Sequence, residues 1–128
     1  MAKVIFGAKP KTFAEIAVKF TGPEGQELVI QTVYKYRTTK EYGAFLNDLF
    51  KDSGETAPDV GSPDFEALFV KNAGRTVDSL LKAIESWDIP EHEVSRENLL
   101  RLADEMPAGP VALMAAYRSA CIEGRLGN

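Results

Sequence analysis

A chain of 128 residues, 45% hydrophobic and 27% charged, fits one domain around one core and needs neither metal nor disulfide to fold. Its net charge of -4 argues against a broad nucleic-acid surface, because such surfaces draw most of their affinity from Lys and Arg neutralising phosphates. No apolar run approaches the roughly 20 residues of a membrane span, and MAKVIFGAKPKTF lacks the central apolar stretch of a signal peptide, so neither a membrane nor export is expected.

The first ten residues hold a short apolar run, Val4-Ile5-Phe6, followed by Gly7 and Pro10, which reads as a brief strand or a loosely held arm. From Phe13 the chain alternates. Ile16, Val18 and Phe20 point one way while Glu15 and Lys19 point the other, the period of a strand with one wet face. In Thr21-Gly22-Pro23-Glu24-Gly25, Pro sets one turn angle and Gly takes positive φ, so the chain should reverse there. The return strand, 27–37, places Leu28, Ile30, Tyr34 and Tyr36 on one face and Val29 and Val33 on the other. Two strands alone are marginal in water. The hairpin must therefore pack on helices, gain a third strand from the N-terminal arm, or pair with another subunit, which leaves a homo-oligomer open.

Thr38-Thr39-Lys40-Glu41 fits a capping box, and Tyr42, Phe45, Leu46, Leu49 and Phe50 follow at helical spacing until Gly54. Residues 53–63 have the composition of an exposed loop. Ser62-Pro63-Asp64 then reads as the start of a short helix carrying Phe65, Leu68 and Phe69, with a break or bend at Asn72-Ala73-Gly74. Thr76 recaps a helix whose stripe is Val77, Leu80, Leu81, Ile84 and Trp87, ending near Ile89-Pro90. Ser95 is the N-cap of the next helix, with Val94 and Leu99 as a staple and Leu99, Leu102, Ala103 and Met106 as its stripe. Pro107 stops it. Pro107 and Pro110 suit the first turn of a last helix with Leu113, Met114, Tyr117 and Cys121 on its apolar side, and Gly124 and Gly127 end that helix. The pattern is α+β: an N-terminal β-hairpin or small antiparallel sheet followed by four to five helices in a single domain, 1–128. Within it, 1–37 is strand-rich, 38–52 the first helix, 53–63 a loop and 64–128 helical.

Chemistry is sparsely signalled. His92-Glu93 begins like the zinc-protease pattern HExxH, but Arg96 stands where the second histidine belongs, and the chain has no other histidine to complete a metal site. The sole cysteine, Cys121, cannot form an internal disulfide and reads as a buried, inert thiol, which points to an intracellular home. Ser and Cys nucleophiles lack a plausible base, so the expectation is a non-enzymatic protein without cofactor or metal. Lys35, Arg37 and Lys40 interleave with Tyr34, Tyr36 and Tyr42, a combination that can hold phosphates and stack bases, although lysines on the wet side of a half-buried strand explain it more simply. The apolar helix faces suggest something else. Phe65, Phe69, Trp87, Met114 and Tyr117 are large side chains suited either to a core or to gripping an amphipathic partner helix, with Met114 and Trp87 favoured for the second role.

A resemblance gives these faces a context. The succession Trp87-Asp88, Glu97-Asn98-Leu99, Met106-Pro107 and Ala116-Tyr117, closing on Gly127-Asn128, resembles the C-terminal half of the tail assembly chaperones of long-tailed bacteriophages, and Phe20 to Phe50 resembles the N-terminal half of one such family. The resemblance implies a non-enzymatic protein of the host cytoplasm that binds the helical tape measure protein and keeps it soluble during tail assembly. It also implies that this chain is the short form, and that a longer form made by a ribosomal slip recruits the major tail protein. Leu126-Gly127-Asn128 can be encoded as CTG GGA AAC, which contains a slippery heptamer, GGGAAAC. Two other readings remain: another phage structural-assembly adaptor, and a small nucleic-acid-binding regulator using Lys35 to Lys40.

Overall fold

The computed structural model describes residues 2–51 and 65–127. Strand β1 (Ile16–Thr21) and strand β2 (Glu27–Tyr34) form the expected antiparallel hairpin, in the register Ile16 opposite Thr32 through Thr21 opposite Glu27. Gly25, at φ 80, makes the reversal, where a Cβ would be strained. Ile16, Val18 and Phe20 are buried with Ile30, Thr32 and Tyr34, whereas Ala17, Lys19 and Thr21 face water, so one side of the hairpin meets the core.

Helix α1 (Thr39–Lys51) starts at the predicted capping box. The Thr38 amide donates to Glu41 Oε1 at 2.9 Å and the Glu41 amide donates to Thr38 Oγ1 at 3.1 Å. Those bonds to the charged form hold the Glu41 carboxyl below its ordinary range. The loop at 53–63 and the cap at Ser62-Pro63-Asp64 lie outside the described residues.

Two expectations are corrected downstream. Helix α2 (Phe65–Ala83) runs without a break through Asn72-Ala73-Gly74 and Thr76, so one long helix replaces the two predicted. It stops at Ala83, and Ile84 to Trp87, expected to be its last turn, form strand β3 (Ile84–Trp87). This strand pairs antiparallel with β2, giving the order β1-β2-β3. The third strand therefore comes from behind a helix; the N-terminal arm contributes only a bridge between Thr12 and Lys35.

The physical reason lies in the backbone groups at the end of α2. A helix terminus leaves carbonyls without partners. Here the Lys35 amide, just past β2, donates to the Ala83 carbonyl at 2.8 Å, and Arg37 Nη1 donates to the Lys82 carbonyl at 3.1 Å. β2 thus ends the helix and pairs with the residues that follow. The Gln31 amide, donating to Asp88 Oδ1 at 2.8 Å, fastens the far end of β3.

Helix α3 (Arg96–Glu105) is capped by Ser95, whose hydroxyl accepts from the Asn98 amide at 3.1 Å, as predicted. Pro107 turns the chain into helix α4 (Ala108–Arg118), and buried Gly109 lets the corner close. A Cβ there would stand 3.2 Å from Leu102 Cγ. A π-helical turn (Ser119–Glu123) follows, ended by Gly124 at φ 67, and its Cys121 carbonyl accepts from Thr39 Oγ1 at 2.7 Å, which ties it to α1. Val77, Leu80 and Ala83 of α2, Leu99 of α3, and Leu113 and Tyr117 of α4 complete the core beside the sheet. The α+β class stands, with three antiparallel strands and four α-helices among the described residues.

The continuity of α2 can be tested at Gly74. This residue is helical, and an added Cβ would meet only Arg96 Nη2 at 3.5 Å, an ordinary contact. Gly74→Ala is expected to stabilise the protein by about 0.5–1 kcal/mol in urea unfolding. A loss of stability would indicate a bend at that position.

Candidate functional site

The five residues singled out from the sequence fall into three environments. Tyr117, from α4, is fully buried at 0% exposure and does not reach a partner surface. Its ring stacks on Tyr34 at 5.0 Å between centroids and meets Tyr42, Phe45 and Phe13 edge-on at 5.7, 6.0 and 6.4 Å. Its hydroxyl accepts from Arg37 Nη1 at 2.7 Å and donates to the Lys35 carbonyl at 3.0 Å. Burial pushes its phenol up to about 12, with the Arg37 guanidinium pulling the other way. Tyr34, whose hydroxyl donates to the Leu113 carbonyl at 2.7 Å, is raised further by the same burial. Met114, the neighbouring apolar residue on α4, is half-buried against the core.

This cluster also absorbs the basic and aromatic group at 34–42. Tyr34 and Tyr42 are buried, Tyr36 packs on Phe13 at 5.1 Å, and Arg37 lies over the Phe45 ring at 4.4 Å. Arg37 thus serves helix termination and ring packing, and the buried tyrosines present no faces on which bases could stack. Cys121 is buried, and desolvation raises its thiol above the ordinary value, consistent with an inert side chain. His92 is exposed in the loop after β3, where its carbonyl accepts from Trp87 Nε1 at 2.6 Å. Among the described residues no group of three or more His, Cys, Asp or Glu is placed to hold a metal ion, and no helix is long and apolar enough to cross a membrane.

Trp87 belongs to the second environment. It is half-buried at the end of β3 and lines a pocket of about 330 Å³ between the sheet and α3, with Phe20, Val29, Ile89, Leu102 and Met106 around it. Arg101 and Glu105, paired at 2.6 Å, stand at its edge.

The third environment holds Phe65 and Phe69. They sit one helical turn apart on the first half of α2, with ring centroids 6.4 Å apart, and are 59% and 66% exposed. Beside Phe69 a groove of about 1070 Å³ runs between α2 and the α3–α4 corner, floored by Val70, Leu100, Ala103, Pro110 and Val111. Val70 and Val111 are themselves 65% and 70% exposed. Large apolar side chains gathered on one open face are uncommon on a soluble monomer, which makes this face the candidate contact surface. Glu66 and Asp104 line the same groove, and among the described residues neither has an ion-pair partner. Val70 and Val111 were missed in the sequence, because a single valine on a helix carries no signal until the fold brings two helices together.

Among the described residues every buried side-chain nitrogen and oxygen has a hydrogen-bond partner, and the outward chemistry of this α+β unit is an apolar groove with a carboxylate rim. Comparison with protein families shows that the chain belongs to the phage tail assembly chaperone family, whose model matches residues 1–128. The resemblance seen in the sequence is therefore borne out. No curated protein and no solved structure matches the chain.

The aromatic cluster has a measurable pH signature. Tyr117 rises from an ordinary 10.0 to about 12 in the folded state, so the stability it contributes is complete below pH 10 and is lost as pH rises towards 12. Melting temperature should fall across that interval together with the appearance of tyrosinate absorbance. Tyr117→Phe, which removes the donor to the Lys35 carbonyl and one of the two acceptors of Arg37 Nη1, should cost about 1–3 kcal/mol by chemical denaturation.

Proposed function

We propose that this protein binds the tape measure protein of a long-tailed phage in the host cytoplasm, acting as a single non-enzymatic domain. It keeps that protein soluble until the tail tube encloses it. Membership of the tail assembly chaperone family supports the reading, and the observation that carries it is the exposed apolar face of Phe65, Phe69, Val70 and Val111 on α2 and α4. A tape measure protein is a long helical rod with apolar stripes that aggregate in water. An acidic domain covering such a stripe hides it and adds charge.

Phe65 and Phe69 are the primary grip in this reading, since a stacked aromatic pair offers a large contact area on a rigid helix. Trp87 supplies a second contact through its pocket beside α3, whereas Met114 and Tyr117 belong to the core that holds these elements in place. Many copies along one rod hold firmly through multivalency while each contact stays weak enough for an advancing tube to strip it. A longer form of the chain, made by a slip at the codons for Leu126-Gly127-Asn128, would recruit the major tail protein. Reading the gene for GGGAAAC and an open frame beyond it tests that part.

Co-expression tests the main reading. With this protein present, the cognate tape measure protein should move from inclusion bodies to the soluble fraction. Phe69→Asp with Val111→Asp should abolish the rescue. Both positions are exposed, so each change should stay within about 0.5 kcal/mol of native stability. If the wild-type protein leaves the insoluble fraction unchanged, the proposal fails.

A further inference from the structure

A second exposed apolar element lies far along the chain from the groove. Val4, Ile5 and Phe6 are 88%, 74% and 96% exposed. They form three consecutive large side chains at the end of an arm that first joins the body at the Thr12–Lys35 bridge. Gly7, at φ 83 with open space around it, turns the arm there. The arm is basic, with Lys3 before the trio and Lys9 and Lys11 after it; the charge of Lys9 also reaches Glu41.

The α2–α3–α4 groove has the complementary character. Its floor is apolar and its rim carries the carboxylates of Glu66 and Asp104, whereas its one cation, Arg101, is already held by Glu105 at 2.6 Å. We infer that the Val4-Ile5-Phe6 arm of one copy docks into the α2–α3–α4 groove of a second copy, its lysines facing Glu66 and Asp104.

Size and reach agree with this. The groove's 1070 Å³ slightly exceeds the roughly 300–1,000 Å³ of small-molecule pockets, so it has room for a segment of chain and not merely one side chain. From Phe6 to Thr12 the arm extends up to about 20 Å, enough to cross to a neighbouring molecule. Within one chain the trio and the groove residues are exposed at the same time, so the arm does not cover its own groove. Arm and groove are different surfaces, and their contact is heterologous: however many copies join, the open assembly keeps one free arm at one end and one free groove at the other. The groove holds one apolar segment at a time. Self-association and capture of another apolar chain therefore compete, and the arm shields the greasy face of a chaperone that has no cargo.

Sedimentation of the full-length protein should show reversible, concentration-dependent assembly that weakens as salt is raised, because the rim contacts are charged. Val4→Ser with Ile5→Ser and Phe6→Ser should weaken that assembly about tenfold or more. In a Cys121→Ala background, mixing a Phe6→Cys chain with a Val111→Cys chain should give a crosslinked heterodimer well above either homodimer. A wild-type protein that stays monomeric at every concentration overturns the inference. So does a Phe6→Cys, Val111→Cys double variant that closes its disulfide within one chain at high dilution. These readouts do not involve the tape measure protein. Crosslinking without tape measure rescue would sink only the chaperone proposal, and rescue by a strictly monomeric protein would sink only the arm.

Discussion

One phenol hydroxyl joins three segments that lie far apart in the chain. Tyr117 Oη, on the last α-helix, accepts from Arg37 and donates to the Lys35 carbonyl, across 80 and 82 residues respectively. Arg37 also reaches the Lys82 carbonyl, and the Lys35 amide takes the Ala83 carbonyl. The end of β2, the end of α2 and the side of α4 are thereby held at one point. Buried polar groups are costly unless paired, and each group here pairs another, so the junction tolerates no sliding. The rings of Tyr34, Tyr42, Phe45 and Phe13 close around it and keep water out.

The rest of the architecture follows from that point. With α2 stopped at Ala83, Ile84 to Trp87 are free to pair with β2, and the two-stranded ribbon becomes a sheet with enough buried face to be stable. The C-terminal half of α2 is committed to the core through Val77, Leu80 and Ala83. Its N-terminal half extends past the core with Phe65, Phe69 and Val70 exposed. The α3–α4 corner, closed by Gly109 against Leu102, brings Val111 to the opposite bank. The groove is thus a consequence of one helix being longer than the core that anchors it.

This division suits the proposed role, in which the protein holds many different stretches of a partner. An internally satisfied half carries an open apolar half, so binding there would not require the core to open. Glu66 and Asp104 at the groove would disfavour acidic segments there in the proposed role. The same features suit the docking of a basic arm from a neighbouring copy.

Local patterns in the sequence determined a good deal. The alternation at 16–20, the Gly-Pro turn, the capping box at Thr38, the N-cap at Ser95 and the proline corner at 107 each act within a few residues, and each was legible because its physics is short-range. The family likeness was legible in the same way, from short runs of residues. Three matters were decided only in the folded molecule. Ile84 and Trp87 continue the helical spacing of α2, and nothing nearby says that Lys35 will terminate that helix. Gly74 looks like a break, yet packing on α3 carries the helix through it. Tyr117 and Phe69 are equally large and apolar in sequence, but one fills the core and the other faces water. Whether an apolar residue is covered depends on which other elements arrive beside it, and that is a property of long-range contacts rather than of spacing.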